Sequence, residues 1–152
     1  MEETSQVVSL IPQSIRNIPD PISTVKEIPK RVLEDVGRVY LRYLWREALR
    51  NVEINEIKLS RLPQELREIG TALSEIFYIF SWSYLRKKPA KVVLDVDEEL
   101  DEPVVILFFG EELSSREEVA ILKQLLKLRW ELSNKDERVL DVSILVRRLK
   151  KR

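Results

Sequence analysis

The chain has 152 residues, 44% of them hydrophobic and 34% charged, and its 26 basic side chains balance 26 acidic ones. That length suits one compact core or two small ones packed together, and the composition argues against disorder and against a bulk polyanion partner. Any nucleic-acid surface must therefore be local. Cys and His are absent, which removes thiolate catalysis, imidazole acid–base chemistry and the ordinary structural zinc sites.

Carboxylates, Lys, Tyr, Ser and Thr remain as the chemical repertoire, and no cofactor is expected. Charge carried by Glu, Arg and Lys, with a single Met, fits a protein of archaeal type that works at high temperature. No segment reaches the roughly 18 uninterrupted apolar residues that span a bilayer. The opening MEETSQVVSLIPQ is acidic, with no basic region before its short apolar run. A cytoplasmic location with no membrane contact is expected.

Residues 1–29 hold four of the seven prolines (Pro12, Pro19, Pro21 and Pro29) among Val7, Val8, Leu10, Ile11, Ile15, Ile18, Ile22 and Ile28. Such proline density prevents a long helix, and so many aliphatics do not suit a polar linker. The segment reads as an extended arm on an apolar surface, either its own body or a partner reached by strand addition through QVVSLI.

From Lys30 to about Asn51, Val32, Val36, Val39, Tyr43 and Leu44 recur at helical spacing. A second helix is predicted from about Leu62 to Lys88, started by Ser60 and Pro63 and stopped by Pro89. Leu62, Leu66, Ile69, Leu73, Ile76, Phe77 and Phe80 form its stripe. Its second half, EIFYIFSWSYL, is apolar nearly all round, so Phe77, Ile79, Trp82 and Tyr84 are candidate partner-interface residues.

After Pro89 the period changes. Lys91 to Asp97 alternates through Val92, Leu94 and Val96; Pro103 to Phe109 is apolar on both faces; and Leu140, Val142, Ile144 and Val146 alternate again. Ser114 or Ser115 can cap an intervening helix with Glu117 and Glu118 in its first turn, continuing through Val119, Leu122, Leu125, Leu126 and Trp130. The fold class expected is α+β: two N-terminal helices followed by a strand–strand–helix–strand unit with a three-stranded mixed sheet. Residues 30–89 form a helical hairpin and 90–152 a small α/β unit packed with it as one domain. The last helix–strand connection should be a right-handed crossover. A strand added from the VVSLI arm would bring the order close to a ferredoxin-like βαββαβ.

The stretch VVLDVDEEL, residues 92–100, resembles the D-x-D-x-T nucleophile strand of haloacid-dehalogenase-type phosphatases, with Glu99 in place of the Thr. The resemblance implies a nucleophile at Asp95, a general acid at Asp97 and a metal beside them. Only about 55 residues follow Asp97, too few for the strands that complete such a site. A small metal-dependent phosphodiester hydrolase using Asp95 and Asp97 is the chemical alternative, with Glu98, Glu99, Asp101 and Glu102 close behind. The neighbouring VVILFF brings no Lys to it. The plainer reading is a solvated hairpin connection.

Arg38, Arg42, Arg46 and Arg50 stand four apart, a stripe that drifts about 40° per step at about 100° per residue. With Trp45 and Tyr40 beside it, the ladder suits phosphate gripping and base stacking. Ion pairs from Glu34 to Arg38 and from Glu47 and Glu53 to Arg50 are the competing explanation. Arg147, Arg148, Lys150 and Lys151 form a basic tail, and Arg86, Lys87 and Lys88 close the second helix. Residues 43–69, YLWREALRNVEINEIKLSRLPQELREI, resemble the helix, loop and Leu-Pro-led second helix of GINS-type replication subunits; no functional residue is carried over.

These features point to a non-catalytic accessory subunit of an intracellular complex that binds or processes nucleic acid, in replication, repair or RNA-guided work. Arg38, Arg42, Arg46, Arg50, Trp45, Arg147, Arg148, Lys150 and Lys151 would be its nucleic-acid residues. A protein partner or homo-oligomer is expected, and a plain homodimeric interaction protein is the remaining alternative.

Overall fold

A computed structural model describes residues 30–110 and 112–149, with side chains from Arg38 onward. The proposed arm of residues 1–29, with its VVSLI strand, lies outside the described residues, as do Lys150 and Lys151. The described elements run in the order α1 (Lys30–Asn51), β1 (Val52–Ile54), α2 (Glu56–Leu59), α3 (Gln64–Ser83), β2 (Lys91–Asp97), β3 (Glu102–Phe109), α4 (Ser115–Ser133), a 3-10 turn (Glu137–Asp141) and β4 (Ser143–Arg148). The fold is α+β, and none of the described helices is long and apolar enough to cross a membrane.

The sheet has four strands, where three were expected. The additional strand is β1, which leaves α1 without a connecting loop and pairs parallel to β2, Val52 opposite Val92 and Ile54 opposite Leu94. The Asn55 amide extends the pairing by donating to the Leu94 carbonyl at 2.9 Å. The Asn55 side chain then caps the single turn of α2. The segment that resembles a GINS helix–loop–helix therefore contains a strand and a helical turn where the loop was expected.

The strand order is β1-β2-β3-β4, with β2 and β3 antiparallel and β3 and β4 parallel. The element sequence is βαββαβ, but each parallel pair is adjacent and no strand is inserted between its members as in a split βαβ. Register puts Val92, Leu94, Val105, Leu107, Ile144 and Val146 on one face, and all six are buried. Helix α3 covers this face: a Cβ added at Gly70 would sit 3.0 Å from Leu94 Cδ1 and 3.4 Å from the Pro103 Cβ. Such close approach of helix and sheet backbone is what a glycine permits.

Helix α4 joins the same core through Ile121, Leu125, Leu128 and Leu132, while Leu145 on the opposite face of β4 stays 37% exposed. Both helices thus lie on one side of the sheet. With strands in chain order and the two parallel pairs pointing in opposite directions, the two crossovers must differ in hand. One of them departs from the right-handed preference.

Local chemistry explains the helix ends. Pro63 precedes α3, its fixed φ suiting the helix start. Ser114 accepts from the Glu117 amide while the Glu117 carboxylate returns to the Ser114 amide, a complete capping box. The buried hydroxyls of Ser74 and Ser83 donate to the carbonyls four residues back, Gly70 and Ile79.

Candidate functional site

Helix α1 orients the arginine ladder. Leu44 and Ala48 are its inward residues, 1% and 0% exposed, and they dock it on α3. At about 100° per residue, Arg46 points directly away from that contact, Arg42 and Arg50 lie about 40° to either side of it, and Arg38 stands about 80° from it toward the flank of the helix. All four are exposed along roughly 18 Å of helix, at about 1.5 Å per residue. Among the residues with described side chains, Arg50 has a carboxylate partner, Glu47 at 3.5 Å, and no ion pair engages Arg42 or Arg46; the expected Glu34–Arg38 pair lies outside them.

The aromatic companions are arranged differently from the sequence reading. Trp45 is half-buried and packs on the core, so its ring is committed to the fold. Tyr43 is the ring among the arginines; it is 52% exposed and its centroid lies 6.0 Å from that of Trp82. Val39 and Leu49 are exposed on the same surface. Val39 and Tyr43 belong to the helical spacing that runs to Leu44, yet both are exposed, and the inward contact line runs through Leu44 and Ala48.

The C-terminal cations are not brought to this ladder. Helix α1 adjoins β1 at one edge of the sheet, and Arg147 and Arg148 close β4 at the other, about 14 Å away across three strand spacings. Arg147 is exposed. The Arg148 guanidinium donates to the Leu113 carbonyl at 3.0 Å and to Ser115 Oγ at 3.3 Å, and pairs with Glu118 at 2.8 Å. It ties β4 to the start of α4.

Phe77 and Ile79 are 0% and 1% exposed, covered by the chain's own core. The surplus apolar surface of α3 meets α1 on one side and the sheet on the other. Tyr78, between them, accepts a hydrogen bond from Asn51 Nδ2 at 3.1 Å, and burial pushes its phenol up to about 12. Trp82 is half-buried, with Lys88 Nζ 4.5 Å above its ring. Tyr84 is exposed and stacks on Phe80 at 4.9 Å.

The acidic stretch is organised as a turn. Asp95 Oδ1 accepts from the Val96 amide at 2.8 Å and from Asn55 Nδ2 at 3.2 Å. Asp97 Oδ1 accepts from the Glu99 and Leu100 amides at 3.0 and 3.3 Å. Asp101 closes the turn at a φ of 51°, which Asp tolerates better than most residues. Lys58 on α2 stands 3.8 Å from Asp95 and 3.3 Å from Glu98. Among the described residues no three His, Cys, Asp or Glu side chains gather as a metal site would require.

A shallow groove of about 400 Å³ follows α3 past Gln64, Arg67, Glu68, Thr71, Ala72 and Glu75. Burial pushes the Glu75 carboxyl up to about 7, and Arg67 Nε is buried without a hydrogen-bond partner. The sequence gives no sign of either, because both sit at ordinary polar positions of an amphipathic helix. Compared with known proteins, the chain matches no family model, no curated protein and no solved structure.

Proposed function

We propose that the chain is a non-catalytic accessory subunit of a nucleic-acid-handling complex, and that the outward face of α1 is its phosphate-binding surface. One observation carries this reading: Arg42, Arg46 and Arg50 are exposed on the side of the helix opposite its buried contacts, with Arg38 exposed on the flank beside them. A helix that needed cations only for stability would set them beside carboxylates at three- and four-residue spacing. Among the residues with described side chains, Arg50 has such a partner and Arg42 and Arg46 do not; Glu34, four before Arg38, lies outside them. Guanidinium groups repeating about every 6 Å along a helix can each engage a separate phosphate of a nucleic-acid backbone.

The hydrolase alternative has less behind it. Asp95 and Asp97 direct their oxygens at Asn55 and at turn amides, so both have a conformational role already. The proposal is tested by measuring binding of single- and double-stranded DNA and RNA at low salt to the chain and to a variant with all four arginines changed to Ser. Binding that survives in the variant, or that is absent from the parent, contradicts the proposal.

A further inference from the structure

Helix α4 carries two apolar stripes. Ile121, Leu125, Leu128 and Leu132 are buried on the sheet, and the second, Val119, Leu126 and Trp130, points the other way with exposures of 52%, 38% and 65%. The spacings of seven and four repeat those of the buried stripe, so the second set also lies in line along one face. A Trp left two-thirds exposed at the end of such a line is typical of a binding surface, because large aromatics anchor interfaces.

The charges of α4 are sorted with it. Its N-terminal acids turn to the body: Glu117 pairs with Lys87 at 2.9 Å and Glu118 with Arg148 at 2.8 Å. Arg116, Lys123 and Lys127 are exposed along the outward stripe with no ion pair among the described residues, and Glu131 is the exposed acid at its far end. The outward face is therefore an apolar line about 16 Å long, from 119 to 130 at about 1.5 Å per residue, with a basic rim.

We propose that this face docks an acidic amphipathic helix of a partner protein. Leucines of the partner at heptad-like spacing would meet Val119, Leu126 and Trp130, and its flanking carboxylates would meet Arg116, Lys123 and Lys127. A second copy of this chain fits less well, since antiparallel pairing of two α4 helices sets one basic rim against another. Nucleic acid also fits less well, because aliphatic side chains add nothing to contact with phosphate. The surface is separate from the arginine ladder of α1 and does not rest on it.

The test titrates the full chain with two synthetic helical peptides that share a leucine stripe, one flanked by Glu and the other by Lys. Binding is read by calorimetry and by the difference in tryptophan emission between the parent and Trp130→Phe. The acidic peptide should bind saturably and shift the Trp130 emission to the blue, and the basic one should not. Leu126→Asp and Trp130→Ala should each weaken binding about tenfold or more. Both positions face away from the core, and circular dichroism confirms that each variant is folded. Lys123→Glu with Lys127→Glu should transfer the preference to the basic peptide. Equal binding of both peptides, or binding indifferent to Leu126→Asp, overturns the proposal. So does a dimer in light scattering that Leu126→Asp dissolves, or a Trp130 that becomes accessible to a quencher only after residues 1–29 are removed.

Discussion

Replacing Glu75 by Gln should stabilise the fold at pH 8 and leave it little changed near pH 4.5. Burial raises the Glu75 carboxyl from 4.5 to about 7, so between those values the folded state binds more protons than the unfolded one. Stability must then fall as pH rises through that window and stay low above it. The full shift corresponds to about 3 kcal/mol at about 1.4 per pH unit; Glu75 borders an open groove, and solvent screening reduces this to on the order of 1–2 kcal/mol. Gln keeps the shape and removes the charge. Guanidinium unfolding of parent and variant at pH 5 and pH 8 reads the effect directly. Glu117 is held down to about 2, chiefly by Lys87, and Asp136 is lowered chiefly by Arg138. Their stabilisation is lost only as pH falls below the usual carboxylate range, outside the Glu75 window. Parallel stability–pH profiles for the parent and Glu75→Gln would refute the reasoning.

Three further substitutions test the framework. Leu125→Ala removes a side chain that is 0% exposed between α4 and the sheet and should cost about 2–5 kcal/mol in equilibrium unfolding. Ser114→Ala breaks the capping box of α4 and should cost about 1 kcal/mol, with no change in the denaturant slope. Gly70→Val places a branched side chain where Cβ alone meets Leu94 at 3.0 Å. Overpacking there should cost about 1–3 kcal/mol, and Leu94→Ala in the same chain should recover part of it.

What was legible in the sequence follows the length and regularity of each element. The long periodic runs gave α1, β2, β3 and α4 nearly in place, and Ser114 with Glu117 marked a helix start that side-chain and backbone bonds alike support; α3 ends at Ser83, short of the expected Lys88, so Arg86, Lys87 and Lys88 follow the helix and do not close it. Strand β1 was missed because Val52–Ile54 is too short to establish a period and continues directly from α1. The alternation from Leu140 to Val146 read as one strand, yet Leu140 lies in the 3-10 turn and β4 begins at Ser143. Val142 is fully buried at the junction, so one apolar pattern served two conformations.

The arginine ladder was legible from spacing alone, whereas its accompanying ring required the helix's rotation about its axis. The outward stripe of α4 was visible only as residues: Val119, Leu126 and Trp130 joined Leu122 and Leu125 in a single apolar set. Periodicity cannot divide such a set into two faces without knowing which one meets the sheet.

If α1 is a phosphate-binding face, its affinity for nucleic acid must fall with salt in proportion to the arginines engaged. Four arginine–phosphate contacts at about −0.9 each give a slope near −3.6 for log K against log salt on a duplex, or roughly a 150-fold loss of affinity from about 50 to 200 mM salt. Changing Arg42 and Arg46 to Ser should reduce that slope by about two. A slope that stays the same in the double variant, or affinity that does not respond to salt, would contradict the proposed phosphate-binding face.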